Sequence, residues 1–252
     1  MSAEKIHGYT ADQVRDAEAP GLERGEPLMM RAAAGLAAEL RTVLPDDGGV
    51  VLILAGTGNN GADAMYAAAE LASGRPADAD PAEGHGTPAG TGGPEAGAVS
   101  VAIVPTGDRL HPEALAAALE AGARLFDASE AASLAASADV VVDGVLGTGT
   151  SSGGSALRGP ARDIVAAVLA ALMENELAYV VAVDIPSGVD PDDGSVPDQL
   201  VLPADVTVTF GARKAGLLIA PGSELAGDVR LVDIGLGTEY AAMPAAVTVD
   251  AG

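Results

Sequence analysis

Short runs of β-branched and aliphatic residues alternate along this chain with longer Ala- and Leu-rich segments. The runs predict strands at Val50–Leu54, Val99–Val104, Arg124–Phe126, Asp139–Val142, Tyr179–Val183, Val206–Phe210 and Val229–Val232. Between them, Ala62–Ser73, Pro112–Ala121, Ser129–Ala136 and Pro160–Glu174 read as helices. Repetition of this β–α unit points to a mostly parallel sheet covered by helices. Ahead of the first of these strands, Thr10 and Gln13 have the spacing of a capping box, so a helix is predicted to start there. A second follows from Pro27 to about Leu40. The expectation is one α/β domain over residues 1–252 with an N-terminal helical extension and a tail at 236–252.

One stretch breaks the pattern. From Gly74 to Gly97 the chain is built from Gly, Pro, Ala, Asp, Glu and Thr with no periodic apolar positions. Such a segment buries too little surface to offset its ordering entropy, so a disordered insertion is expected at 74–97. It contains His85, which is therefore a poor catalytic candidate.

Composition narrows the function classes. The absence of cysteine excludes disulfide scaffolds, cysteine-based metal sites and thiol nucleophiles. With 36 acidic against 13 basic residues the formal charge is −23, which argues against a nucleic-acid or anionic-membrane partner. No apolar run approaches the ~18 residues of a membrane helix, and the first residues do not open a signal peptide. A soluble, cytoplasmic protein is expected. Aromatic residues make up only 2%, so the core must come from Ala, Val, Leu and Ile.

Three polar clusters each follow a predicted strand, where open parallel sheets place their binding crevice. The first is Gly56-Thr57-Gly58-Asn59-Asn60-Gly61-Ala62-Asp63. It fits G-x-G-x-x-G between strand and helix, a turn whose free N–H groups attract phosphate. The acid that ordinarily holds a ribose is missing after the next strand, where Pro105-Thr106-Gly107 stands. This disfavours a conventional dinucleotide oxidoreductase. The second cluster begins with Asp143 and continues through Gly147-Thr148-Gly149-Thr150-Ser151-Ser152-Gly153, a run of N–H and hydroxyl donors. The third is Asp184-Ile185-Pro186-Ser187-Gly188, where Asp184 again closes a hydrophobic strand. Carboxylates at such places are costly unless paired or bound to a cation. His7, His85 and His111 all lie outside the clusters, leaving acid–base work to a carboxylate or lysine. Lys214 stands out because the chain uses lysine twice and arginine eleven times.

These motifs, with Thr209-Phe210-Gly211-Ala212-Arg213-Lys214-Ala215-Gly216, resemble the NAD(P)H-hydrate epimerase family, the YjeF N-terminal domain. The resemblance runs from about Tyr9 through Leu28-Met29-Met30-Arg31-Ala32-Ala33 to Val232-Asp233-Ile234-Gly235. It implies a Rossmann-like three-layer sandwich that interconverts the R and S forms, at C6, of hydrated NADH or NADPH. It further implies a potassium ion held by Asn60, Asp143 and Ser187. Substrate contacts are implied at Asn59, Asn60, Gly61, Ala62, Asp63, Gly147, Thr148, Gly149, Thr150, Ser151, Ser152, Gly153, Asp184 and Lys214. Asp184 is the expected general acid/base at the C6 hydroxyl. Ala62 and Ala64 replace glycines usual in the family, and their methyl groups are expected near the substrate. Functional coupling to an ATP- or ADP-dependent NAD(P)H-hydrate dehydratase follows from the resemblance, and a homodimer is compatible with it. The alternative of another class is a non-catalytic nucleotide-binding or scaffold module. Retention of Asp143, Asp184, Asn60 and Ser187 together favours the enzyme.

Overall fold

The computed structural model describes residues 5–74, 99–150 and 154–251. Along the chain lie β1 (Lys5–Tyr9), α1 (Ala11–Glu23), α2 (Leu28–Val43), β2 (Gly49–Ala55), α3 (Asn59–Ala72), β3 (Val99–Pro105), α4 (Pro112–Glu120) and β4 (Arg124–Leu125). They continue as α5 (Ala131–Ala135), β5 (Val140–Gly144), α6 (Gly159–Leu172), β6 (Tyr179–Val183), β7 (Val206–Phe210), β8 (Arg213–Lys214), α7 (Gly222–Leu225), β9 (Asp228–Val232), α8 (Gly237–Ala241) and β10 (Val247–Asp250). The expected disordered insertion falls almost wholly outside the described residues.

Seven parallel strands form the central sheet in the order β4-β3-β2-β5-β6-β7-β9. The order reverses between β2 and β5, which opens a crevice beyond their carboxyl ends. Side chains alternate across this sheet with period two. Val51, Ile53, Val140 and Val142 join the core beneath α2, α3 and α4, while Leu52, Leu54 and Val141 join the core beneath α5 and α6. Both faces are therefore buried, which is why these strands read as continuous apolar runs. Ala62, Ala64, Ala67 and Ala68 let α3 lie close to the sheet without large side chains. No helix among the described residues is long and apolar enough to cross a membrane.

Two expectations need correction. The N-terminal extension is not purely helical, and residues 236–252 are not a tail. β1 pairs antiparallel with β10, from Lys5 opposite Asp250 to Gly8 opposite Val247, and parallel with β8. This small sheet ties both chain ends to the segment carrying Lys214. Its strands have two to five residues and largely exposed or half-buried side chains, so no hydrophobic pattern marks them. The capping box at Thr10 does form: Gln13 N donates to Thr10 Oγ1 at 3.2 Å and Thr10 N to Gln13 Oε1 at 3.0 Å. The helix expected at Ser129–Ala136 is a 3₁₀ turn at Ala128–Glu130 followed by α5, with Glu130 accepting from Asp127 N at 2.9 Å.

Candidate active site

Glycines in the turn after β2 serve chain-on-chain contact. A Cβ on Gly56 would lie 1.9 Å from Val145 O, and one on Gly61 would lie 2.2 Å from Gly56 O. The loop thus nests against the end of β5. In α3, Ala62 N is the first to bond back, to Gly58 O at 3.2 Å. The N–H groups of Asn59, Asn60 and Gly61 have no partner within the helix and carry its positive dipole end.

Asn60, Asp143 and Ser187 meet where β2, β5 and β6 end. Asn60 Nδ2 donates to Leu146 O at 3.2 Å and also to Val183 O, which fixes the side chain with its amide oxygen against Gly147. Asp143 Oδ2 accepts from Ser187 N at 2.8 Å, and its Oδ1 accepts from Ser187 Oγ at 2.6 Å. Burial pushes the Asp143 carboxyl up, and the two Ser187 hydrogen bonds pull it back. Among the described residues no three His, Cys, Asp or Glu side chains cluster as metal ligands. The donor set is one carboxylate, one amide and one hydroxyl, all hard oxygen with a single formal charge. That chemistry fits a hard cation of low charge.

At the end of β6, Asp184 has φ of 69°, the one positive φ among the described non-glycine residues. Ile185 N donates back to Val183 O at 2.8 Å, so Asp184 is the central residue of a strained γ-turn. Conformations of this kind cost on the order of 1–3 kcal/mol and gather at functional sites. The turn is held in place by Asp184 N donating to Val208 O at 2.7 Å. Lys214 Nζ forms an ion pair with Asp184 Oδ1 and lies 3.2 Å from Thr209 Oγ1, 3.2 Å from Phe210 O and 3.4 Å from Ala212 O. Both residues are buried, with Lys214 1% and Asp184 5% exposed. Thr209 Oγ1 and Phe210 N add to the donors at Oδ1, at 3.1 and 3.4 Å. Among the described residues every hydrogen bond to this carboxylate falls on Oδ1, so Oδ2 is left for a ligand.

Asp184, Lys214, Asn59, Asn60, Asp63 and Thr148 line one cavity. Its remaining wall comes from Glu18 on α1, apolar side chains of α1 and α2, Phe210 and Ile234. Desolvation raises the Glu18 carboxyl, opposed by Lys214. Asp63 is pushed well above the ordinary carboxylate range by burial, then by the charges of Asp184 and Glu18, with Lys214 opposing. Arg15 Nη1 donates to Thr148 O at 3.1 Å, which ties α1 to the loop after β5.

Residues 25–81 and 93–216 match the family described as YjeF-related protein N-terminus. The chain belongs to this family. A relative from Clavibacter michiganensis named NAD(P)H-hydrate epimerase is 47% identical, covering 91% of this chain and 90% of that protein. One of the same name from Microbacterium testaceum is also 47% identical, over 93% of this chain and 81% of its own length. The bifunctional NAD(P)H-hydrate repair enzyme Nnr of Mycobacterium tuberculosis is 38% identical over 91% of this chain and 42% of its own length.

This member of the YjeF-related family brings most of the residues singled out from sequence to one crevice. Gly147 lies against Asn60, whose Oδ1 would sit 2.3 Å from a Cβ there, and Gly149 faces open space. The side chain of Thr150 and all of Ser151, Ser152 and Gly153 lie outside the described residues. Ala62 and Ala64 are both 0% exposed members of the core that α3 packs, and among the described residues neither lines this cavity. Glu18 escaped the sequence reading. Its signal was an acid four residues after Val14, on the inner stripe of α1 that Val14, Ala17 and Gly21 otherwise define.

Proposed function

We propose that the chain is an epimerase acting on hydrated NADH and NADPH, interconverting their R and S forms at C6. The observation that carries this reading is the Asp184–Lys214 pair, buried at a strained strand end on the cavity wall. A buried, precisely held carboxylate suits proton transfer at a substrate hydroxyl. The names of the relatives matching nine-tenths of the chain support the same reaction.

Asp184 acts as general acid/base at the C6 hydroxyl, with Lys214 holding its orientation. The free N–H groups of Asn59, Asn60 and Gly61 and the donors of the Thr148 loop take the pyrophosphate. Local donors must do this because the net charge of −23 repels a dinucleotide at long range. Asn60, Asp143 and Ser187 would hold a potassium ion, which supplies positive charge beside the substrate's phosphates and hydroxyls. One epimer then passes to an ATP- or ADP-dependent dehydratase, a coupling that the bifunctional name of the mycobacterial relative supports.

The test starts from one purified epimer and follows its equilibration by chromatography. Catalysed interconversion is the expected result. An equilibration rate unchanged by high concentrations of folded protein would favour a nucleotide-binding module instead.

A further inference from the structure

Asp63, implied by the resemblance only as a substrate contact, is a buried acid. It projects from α3 into the cavity shared with Asp184 and is 6% exposed. Among the described residues its Oδ1 has no hydrogen-bond partner. Asp63 is not the cap of its helix: that residue is Gly58, and Asp63 lies past the first turn. Among the described residues the one cation lining the cavity is Lys214, and it is committed to Asp184, Thr209 and two backbone carbonyls. The other nearby charges, Asp184 and Glu18, are acidic and oppose ionisation of Asp63. The side chains that α2 contributes, Leu28, Met29 and Ala32, are apolar. A buried carboxyl with these neighbours costs least when it keeps its proton. Asp184, by contrast, is the carboxylate partner of an ammonium. Two carboxyl groups thus line one cavity from different elements, one placed to give a proton and the other to accept it.

We propose that Asp63 is the second acid–base group of the epimerisation, donating the proton that the C6 hydroxyl needs to leave. This rests on the epimerase reading. The ring nitrogen N1 gives its lone pair to form N1=C6 as the C6–O bond breaks, and the Asp63 proton leaves with that oxygen as water. The cationic iminium is stabilised by the acidic wall of Glu18 and Asp184. A water molecule then forms the new C6–O bond on the opposite ring face and passes its proton to Asp184 Oδ2. Charge and atoms balance: one water leaves, one enters, one proton has moved from Asp63 to Asp184, and proton exchange with solvent after release returns both groups to their starting states. The reverse reaction exchanges their roles. Inversion at one carbon explains the need for two groups, because departure and return occur on opposite faces.

The experiment compares wild type with Asp63→Asn, using a single purified epimer and a thermal melt of each protein. Asn keeps the size and cannot give up a proton of this acidity. Turnover is expected to fall about 10²–10⁴-fold, the usual contribution of a positioned acid. Half-saturation should change far less, and Tm should not fall. Turnover within about 3-fold of wild type, taken against that same scale, would overturn the proposal. So would near-normal turnover with a raised half-saturation concentration, which makes Asp63 a binding contact. An Asp63→Asn protein that does not fold would also overturn it, because a neutral, unpartnered carboxyl should accept the amide. A wild-type protein that fails to epimerise removes the epimerase reading itself, an outcome separate from any difference between the two proteins.

Discussion

Asp184 and Gly211 are the central residues of two turns of the same kind, at the ends of neighbouring parallel strands, each with φ of 69°. In both, the following N–H bonds back across the residue, Ile185 N to Val183 O at 2.8 Å and Ala212 N to Phe210 O at 2.7 Å. Glycine adopts this conformation without a Cβ penalty, and β7 uses it. At β6 an aspartate stands where glycine would relieve the strain. The γ-turn aims its carboxylate, and the Gly211 turn brings Lys214 round to meet it.

Asp184→Asn separates charge from backbone, since Asn is among the residues that best tolerate positive φ. Turnover is expected to fall about 10²–10⁴-fold, with half-saturation changing less. Lys214 would then be a buried cation without its counter-charge, a loss that costs about 3–5 kcal/mol in comparable pairs. Denaturant melts should show Asp184→Asn and Lys214→Met each destabilised, and the double variant more stable than the sum of the two predicts. Strict additivity would contradict the pairing.

Asp63→Asn should stabilise the protein in a pH-dependent way. The folded protein holds the Asp63 proton to higher pH than the unfolded chain, whose carboxyl titrates near 3.8. Stability is therefore lost as pH rises from that value toward the raised folded pKa, and stays lost above it. Glu18, Asp184 and Lys214 are the charged groups acting on it, and all remain in the variant. The Tm advantage of Asp63→Asn over wild type should be larger at pH 8 than at pH 4. An advantage that is flat or reversed would show that burial does not hold this carboxyl neutral.

Much of this arrangement was legible in the sequence because it follows from strong local patterns. Val140–Val142 and Val180–Val183 are buried on both faces, and the polar cluster after each had to lie at the crevice. The cation corner was implied through family resemblance, and the hydrogen bonds from Ser187 to Asp143 join two of its members. What was not legible depends on long-range pairing. β1 and β10 lie about 240 residues apart and have no apolar stripe to announce them. Glu18 is a single acid on an otherwise apolar helix face, and its meaning appears only when α1 packs over the cavity. Nor could composition show that Lys214 is the buried partner of Asp184.

Potassium should raise the melting temperature of wild type above its value in choline chloride at equal ionic strength, because a ligand of the native state stabilises it. For a chain of this size each kcal/mol is worth about 2–4 °C. Asp143→Asn should abolish the difference. An equal response in wild type and variant would remove Asn60, Asp143 and Ser187 as the site.

Substrate affinity should vary little with salt. Capture by backbone N–H groups releases few counterions, and added salt screens the repulsion from the net charge of −23. Titrations between low and physiological ionic strength check this. A steep loss of affinity would reveal a basic docking surface.

The most direct test is equilibration of one purified epimer in ¹⁸O-labelled water, followed by mass spectrometry of both epimers. Interconversion far above the buffer rate is expected, with one solvent oxygen at C6 for each inversion, because the C6–O bond breaks and a new water returns. No acceleration would contradict the epimerase reading. Rapid interconversion with the original oxygen retained would contradict the two-carboxyl route and leave ring opening and closure in its place.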